Sequence, residues 1–165
     1  MTRANENRRG YKKTKAGWIP EEWKPSNLVD LVTMKSGGTP ARNNPEYWGG
    51  SFPWYSPKDL KSLYLNSSIE TVTKDGAKAG STIVDKGTVL IVVRGMILNR
   101  DIPVGIAMSE SCFNQDIKAL IAKENVNSGF IAYRLLSLRD HLLGMVDRSS
   151  HGTGKIQSDV LKNLS

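Results

Sequence analysis

Cysteine and histidine are scarce in this chain of 165 residues, which has one cysteine, Cys112, and two histidines, His141 and His151. A single cysteine excludes an internal disulfide, and so few sulfur and imidazole ligands exclude a cysteine-rich zinc site. The sequence also has no apolar run long enough to span a bilayer, and no apolar stretch follows its basic N-terminus as in a secretory signal. We therefore expect a single soluble, cytoplasmic domain with no membrane contact, no metal and no cofactor.

The excess of positive charge is unevenly distributed. The chain contains 23 Lys and Arg residues against 16 Asp and Glu residues, a net charge of +7. Residues 1–16 contribute +5 of this total, and the remaining 149 residues carry 17 basic and 15 acidic side chains. Residues 1–16 are therefore predicted to form a basic, flexible tail. Because the rest of the chain is only mildly basic, a nucleic-acid site would have to be a local patch.

Residues 36–60 form the most unusual stretch, with four prolines, four glycines, two tryptophans and two tyrosines. The prolines remove backbone donors and the glycines favour turns, so a regular helix is excluded. The stretch is too aromatic for a disordered linker and is predicted to be a long ordered loop that carries function. Within it, we expect Trp48 and Trp54 to be buried anchors and the polar insert, residues 41–46, to face a ligand.

The remaining sequence alternates between short β-like runs and amphipathic segments. Short strands separated by turns predict an α+β fold with a rolled or barrel-like, mostly antiparallel β core and flanking short helices. Residues 74–76 and 78–80 are predicted turns. Strands are predicted at residues 69–73, 81–84, 88–94, 103–108 and 116–122. Helices are predicted at residues 27–34, 129–145 and 159–164, capped by Ser26, Ser128 and Ser158.

Four short fragments resemble parts of catalytic motifs, but each lacks groups that its chemistry requires. Asn44-Pro45-Glu46-Tyr47 lacks a glycine-rich cofactor turn, and Glu22 with Lys24 lacks a paired Asp. Ser149-Ser150-His151-Gly152 lacks a third catalytic group, and Gly152-Thr153-Gly154-Lys155 lacks the upstream glycine of a phosphate loop. The chain is therefore predicted to be a binding module and not an enzyme.

Candidate binding residues cluster in three segments, residues 42–58, 94–101 and 147–155, each of which combines basic, amide or hydroxyl groups with glycine. Arginine can bind guanine through two hydrogen bonds and asparagine can bind adenine in the same way, while lysines and hydroxyls suit phosphates. The predicted DNA-binding residues are Arg42, Asn43, Asn44, Lys58, Lys74, Lys78, Arg94, Asn99, Arg100, Arg148, Ser149, Ser150, His151, Thr153 and Lys155.

A series of short motifs, in order along the chain, carries a family likeness. The motifs are Gly17-Trp18-Ile19-Pro20, Trp23, Leu28, Ser36-Gly37-Gly38-Thr39-Pro40, Tyr47-Trp48-Gly49-Gly50, Pro53-Trp54, Asp59-Leu60, Gly87-Thr88-Val89-Leu90, Asn114-Gln115, Gly152-Thr153 and Ile156. The series resembles the target recognition domain of type I restriction–modification specificity subunits, and the likeness covers residues 11–165.

The resemblance implies a sequence-specific DNA-binding domain that reads one half of a bipartite site in double-stranded DNA. It implies partners that carry out the catalysis, namely methyltransferase subunits and a restriction or translocase subunit, and a second specificity half or a second copy of the chain. It also implies domain bounds of 17–155 for the recognition domain and 156–165 for the start of a helical connector. Because the sequence stops inside that helical pattern, we expect a domain excised from a longer protein or a truncated gene.

Two other functions remain open at this point. The aromatic residues 47, 48, 54 and 55 could form a stacking platform for a carbohydrate or a peptide. Alternatively, the chain could be the recognition fragment of a fused restriction–methyltransferase enzyme whose catalytic parts lie elsewhere.

Overall fold

The computed structural model describes residues 8–165, which form short strands and helices in alternation. The strands are β1 (Tyr11–Thr14), β2 (Gly17–Pro20), β3 (Val32–Ser36), β4 (Trp48–Tyr55), β5 (Tyr64–Leu65), β6 (Glu70–Val72), β7 (Val89–Val92), β8 (Arg94–Gly95), β9 (Val104–Ala107), β10 (Cys112–Phe113), β11 (Ile117–Ala122), β12 (Asp147–Arg148) and β13 (Gly154–Lys155). The helices are α1 (Leu28–Leu31), α2 (Lys74–Gly80), α3 (Ser128–Ser137), α4 (Arg139–Gly144) and α5 (Ser158–Lys162), with 3-10 turns at Pro45–Tyr47 and Met96–Asn99. None of the helices within residues 8–165 has the length and apolar character of a membrane-spanning segment.

A five-stranded sheet with the order β3-β11-β7-β9-β5 forms the centre of the fold. Its neighbouring strands are antiparallel, except that β5 and β9 are parallel. All four residues of β7 are completely buried, and α3 packs against both β7 and β9. A continuous apolar run is typical of a strand that is covered on both faces. The strand predicted at residues 88–94 is therefore confirmed.

A smaller sheet, in the order β10-β4-β6, lies over a second buried cluster formed by Trp54, Val72, Ala77 and Cys112. The prediction of one long loop over residues 36–60 is wrong here, because β4 is an eight-residue strand. Pro53 is tolerated within β4 because β10 pairs only with the two residues that follow it, so its missing N–H costs no hydrogen bond to β10.

The fold is α+β with mostly antiparallel strands and short helices, as predicted. Two further sheets complete it, the β1–β2 hairpin and the three-stranded sheet β12-β13-β8. Between residues 8 and 165 the strands lie in four separate sheets, and none of these sheets closes into a barrel. The β core is therefore less closed than the predicted barrel-like structure.

Three local predictions fail, two of them because tertiary pairing and a side-chain cap override the sequence pattern. The helix predicted at residues 27–34 is helical only over Leu28–Leu31, since β3 begins at Val32 and pairs with β11. The turns predicted within residues 74–80 are the helix α2, whose first turn is capped by the Thr73 hydroxyl, which accepts from the Gly76 N–H at 3.1 Å. Residues 81–84 make only an isolated bridge, between Val84 and Ser111.

The helix predicted at residues 129–145 is two helices, α3 and α4, which meet at Leu138. The cap of α3 is Asn127, whose Oδ1 accepts from the Phe130 N–H at 3.0 Å, and Ser128 is instead the first helical residue. The last helix begins at Ser158 without a side-chain cap. The predicted caps are therefore each displaced by one residue.

Both ends of the described chain are more structured than the sequence predicts. Tyr11–Thr14 pairs with Gly17–Pro20, so this part of the expected tail is a hairpin, and residues 1–7 lie outside the described residues. Residues 156–165 contribute the buried side chains of Ile156, Leu161 and Leu164 to the main core. They pack as part of the domain, and the bounds of 17–155 and 156–165 stay a prediction.

Gly50 offers a test of the β4–β6 packing, because a methyl group there would overlap Val72 and Thr73 backbone atoms. We expect Gly50→Ala to lower the free energy of unfolding by about 1–3 kcal/mol, as measured by chemical denaturation. Gly144→Ala is the matched control, since no atom lies within 4 Å of the added methyl group. Equal losses of stability in the two variants would contradict this account of the packing.

Candidate nucleic-acid interface

The fifteen predicted DNA-binding residues separate into two groups in the structure. The hairpin group comprises Arg94, Asn99, Arg100, Arg148, Ser149, Ser150, His151, Thr153 and Lys155. The aromatic group comprises Arg42, Asn43, Asn44, Lys58, Lys74 and Lys78. All of these side chains are exposed except Asn44 and Thr153, which are half-buried.

The hairpin group is built on the small sheet β12-β13-β8. Arg94 of β8 lies directly opposite Lys155 of β13, and Arg148 of β12 lies opposite Gly154. Like charges directly opposite each other destabilise a sheet unless a counter-charge is nearby. Within residues 8–165, no carboxylate oxygen forms an ion pair with Arg94, Arg148 or Lys155. On the other side of Lys155, Asp147 of β12 lies directly opposite it, so one acidic residue shares this row, while Arg148 belongs to the next row. The three cations are exposed and form no ion pair among the described residues, which leaves them able to meet an external anion.

The tip of the β12–β13 hairpin is a tight turn held by its own backbone. The Ser149 N–H donates to the Thr153 carbonyl at 3.1 Å, and the Gly152 N–H donates to the Ser149 carbonyl at 3.0 Å. Gly152 has a φ of 81°, which favours glycine, as in three-residue hairpin loops that end in a left-handed residue. Ser150 and His151 therefore stand at the exposed end of the hairpin, with 3.2 Å between Ser150 Oγ and His151 Nδ1.

The segment that carries Asn99 and Arg100 packs against this hairpin. Leu98 of the 3-10 turn is fully buried, and a methyl group on Gly154 would lie 2.8 Å from its Cβ. Asn99 Nδ2 donates to the Gly152 carbonyl at 2.6 Å. The sequence analysis predicts two separate loops at residues 94–101 and 147–155. In the structure these two segments pack together as one unit.

In the aromatic group, Arg42 is engaged by neighbours on three sides. Its guanidinium carbon lies 3.9 Å from the ring centroid of Trp48 and 5.0 Å from that of Trp54. Nη1 and Nη2 donate to the two carboxylate oxygens of Glu70, the second at 3.1 Å. Such stacking and paired hydrogen bonding fix the planar guanidinium. Glu70 was not among the predicted site residues, because Arg42 and Glu70 meet only when the polar insert folds back over the β4–β6 pair.

The ion pair shifts the pKa of both partners towards their charged forms. Hydrogen bonds from Arg42 lower the pKa of Glu70, and the same bonds raise the pKa of Arg42. The charge of Lys58 also lowers the pKa of Glu70, which places this lysine near the pair. Glu70 therefore stays ionised and neutralises part of the positive charge of the aromatic group.

The other members of the aromatic group surround the loop at residues 41–47. Asn44 Oδ1 accepts from the Glu46 N–H at 3.1 Å, so this side chain supports the loop, whereas the side chain of Asn43 is exposed. Lys74 and Lys78 lie one turn apart on α2 and share one face of that helix. The helix packs against the loop at Gly76, where a methyl group would overlap Tyr47.

Residues 113–116 connect the segment that precedes the aromatic group to Arg94 of the hairpin group. The Phe113 carbonyl accepts from the Gly38 N–H at 2.9 Å, and the Asp116 carbonyl accepts from the Arg94 N–H at 3.2 Å. Gln115 between them is exposed, and its Oε1 accepts from the Thr39 hydroxyl at 2.8 Å. Gln115 was not among the predicted DNA-binding residues, although its side-chain amide and its place in the Asn114-Gln115 motif could have identified it as a candidate.

The aromatic platform hypothesis is wrong. Tyr55 is completely buried and its hydroxyl donates to the Leu65 carbonyl at 3.0 Å. Trp54 is 3% exposed, with its Nε1 donating to the Gly38 carbonyl, which confirms it as a buried anchor. Trp48 is half-buried and packs edge-on against Trp54, with 5.2 Å between the ring centroids. Two of the four rings are thus inaccessible to a ligand.

The chain matches a known protein family over most of its length. The family model of the type I restriction modification DNA specificity domain matches residues 20–165. The chain belongs to this family. The match includes both groups of candidate residues and confirms the resemblance found in the motif series.

Two curated specificity subunits are similar in sequence to this domain. The type I restriction enzyme EcoR124I/EcoR124II specificity subunit of Escherichia coli is 32% identical over 142 residues, covering 85% of this chain and 35% of that protein. The type I restriction enzyme MjaIX specificity subunit of Methanocaldococcus jannaschii is 33% identical over 127 residues, covering 74% of this chain and 28% of that protein. The chain thus spans about a third of the length of these relatives.

Solved structures show the same fold. The HsdS subunit from Thermoanaerobacter tengcongensis superposes with a TM-score of 0.66 at 20% identity, over 94% of this chain and 35% of that one. A type I restriction–modification S subunit from M. genitalium gives a TM-score of 0.55 at 16% identity, over 84% of this chain and 32% of that one. The α+β assignment of the specificity-domain family is therefore confirmed.

The Arg42–Glu70 pair predicts a pH-dependent contribution to stability. Because the folded pKa of Glu70 is lowered from 4.5, the pair stabilises the fold above that pH and loses its effect as the pH falls through the folded value. Both side chains are partly exposed, so Glu70→Gln should cost at most about 1 kcal/mol of unfolding free energy at neutral pH. Urea denaturation of both proteins between pH 7 and acid pH should show this difference vanish.

Glu46→Gln is the control for this measurement, since Glu46 is an exposed carboxylate on the same loop for which no ion pair is recorded among residues 8–165. Its stability difference from the unaltered chain should not follow the pH profile of Glu70→Gln. A constant difference for Glu70→Gln at every pH would contradict a stabilising ion pair.

Proposed function

We propose that this chain is a DNA specificity domain that reads one half of a bipartite site for a type I restriction–modification system. The observation that carries the proposal is the set of exposed cations in the hairpin group, where Arg94 faces Lys155 and neither side chain forms an ion pair among the described residues. DNA phosphates would add to the counter-charge that Asp147, opposite Lys155, provides. Family membership supports the same function.

Within this proposal the two groups have different roles. Side chains at the hairpin tip and the arginines Arg94 and Arg100 would contact base edges, since arginine pairs with guanine through two hydrogen bonds. Lys58, Lys74 and Lys78 would contact phosphates and set the register of the domain on the duplex. Asn43 is the free amide of the aromatic group, and Gln115 is added to the candidates because it lies exposed between the groups.

We propose that the domain is non-catalytic and that partner subunits perform the chemistry. Methyltransferase subunits would flip and methylate the target base, and a restriction or translocase subunit would join the same complex. Among residues 8–165 no cluster of three metal-binding side chains occurs, and the proposed role needs none. A second specificity half, or a second copy of this chain, would read the other half-site. A domain that acts on chromosomal and incoming DNA would work in the cytoplasm.

The fused-enzyme alternative has less support. Both curated relatives are named as specificity subunits.

Methylation by a reconstituted complex tests this function. The chain should direct methyltransferase subunits to one defined sequence, and Arg94→Ala or Arg100→Ala should relax the requirement at one base pair of it by about 1–3 kcal/mol, or roughly 5- to 150-fold in discrimination. Sequencing that detects methylated bases reports the motif. Methylation of no defined sequence would overturn the proposal, and an unchanged motif in both variants would remove these arginines from the site.

The salt dependence of DNA binding tests the electrostatic part. Each phosphate contact contributes about −0.9 to the slope of log K against log salt concentration. If Arg94 and Lys155 both contact phosphate or lie close to it, the double alanine variant should bind more weakly and lose up to about two such contributions. Lys86→Ala is the control, because Lys86 is also exposed but precedes the start of β7, whereas Arg94 follows its end. Equal slopes in all three proteins would show that neither Arg94 nor Lys155 neutralises a phosphate, and would leave base contacts to the methylation test.

A further inference from the structure

Asn99 has a structural partner that its predicted role as an adenine reader does not explain. Its Nδ2 donates to the Gly152 carbonyl at 2.6 Å and so joins two segments that are 53 residues apart in the chain. An amide nitrogen bound to a carbonyl in this way has one donor already used. The side-chain hydrogen bond recorded for Asn99 is therefore made to the hairpin tip.

The position of this hydrogen bond matters because the tip has few other attachments. The base of the hairpin is held where Gly154 pairs with Gly95 and approaches the buried Leu98. Beyond that point the recorded hydrogen bonds of Ser149, Ser150 and Thr153 are all made within the turn itself. Among the hydrogen bonds of the described residues, the Asn99 bond is the one that joins the 149–153 tip to the rest of the domain.

We propose that Asn99 is a positioning residue that locks the 149–153 tip against the 3-10 turn, so that Ser150 and His151 are presented as readers of base edges. This inference rests on the proposed function. A two-stranded β-ribbon fits the major groove of B-DNA, and a tip fixed in advance loses less conformational entropy on binding. Strand pairing next to the tip positions Arg148 and Lys155 on the hairpin and Arg94 on β8, so the Asn99 bond would fix the tip relative to cations that the sheet already holds.

The two roles for Asn99 predict different effects of its removal. A direct reader affects one base pair and leaves the free protein unchanged. A positioning residue loosens the hairpin before any DNA is present and then weakens discrimination at every base pair that the tip contacts. The dynamics of the chain without DNA therefore distinguish a reader from a positioning residue, whatever the mode of DNA binding.

The first measurement is amide hydrogen exchange in the 165-residue chain without DNA. We expect Asn99→Ala to raise the exchange rates of the Ser149, Gly152 and Thr153 amides about fivefold, with the melting temperature nearly unchanged. Asn99→Asp has the same shape without the donor and should behave similarly. Asn163→Ala is the matched control, because Asn163 Nδ2 donates to the Asp159 carbonyl at 3.0 Å outside the hairpin. Unchanged exchange at the tip in both Asn99 variants would overturn the proposal.

The second measurement is the methylated motif in cells that carry Asn99→Ala in the chromosomal gene. We expect discrimination to fall at two or more adjacent base pairs, and Ser150→Ala with His151→Ala to affect the same positions. Loss at a single base pair with unchanged exchange would make Asn99 a reader and overturn the proposal. Faster exchange with an unaltered motif would show that the tip does not read DNA, while the proposed function would stand. If the unaltered chain specifies no motif, the proposed function fails, and the exchange data alone decide whether Asn99 holds the tip.

Discussion

Backbone hydrogen bonds to residues 113–116 hold the two halves of this domain together. The Phe113 carbonyl accepts from both the Gly38 N–H and the Ser81 hydroxyl, and the Asn114 N–H donates to the Tyr55 carbonyl. Two residues later, the Asp116 carbonyl accepts from Val93 and Arg94. The segment thus joins the small aromatic core to the large central sheet. It also fixes the distance between the two groups of candidate DNA-binding residues, which attach to opposite ends of it.

The two groups share positive charge but differ in how that charge is balanced. In the aromatic group, Glu70 holds Arg42 against two indole rings, so this arginine stiffens the loop that carries Asn43. In the hairpin group Arg94 faces Lys155 and neither forms an ion pair among the described residues, although Asp147 lies opposite Lys155 on its other side. This group has more to gain from an anionic ligand, because binding would reduce the repulsion between Arg94 and Lys155.

The sequence predicted what depends on local pattern and missed what depends on distant pairing. The buried strand β7, the helices near residues 130 and 160 and the burial of Trp54 follow from apolar runs, periodicity and motif. The conversion of residues 32–36 into a strand could not be predicted, because it depends on pairing with β11. For the same reason the candidate residues were found but not their grouping. Arg42 and Glu70 lie 28 positions apart, and Asn99 and Gly152 lie 53 apart.

The tight turn at the end of the β12–β13 hairpin has a consequence for how such a domain can acquire a new target. Its shape is specified by backbone hydrogen bonds, by one glycine and by an amide that binds a carbonyl, so it imposes little restriction on the side chains at positions 150 and 151. Those side chains are exposed and take no part in either core. Substitutions there can accumulate at almost no thermodynamic cost to the scaffold. On the proposed role of positions 150 and 151 in reading DNA, a lineage carrying this fold could explore different DNA sequences by changing two neighbouring codons.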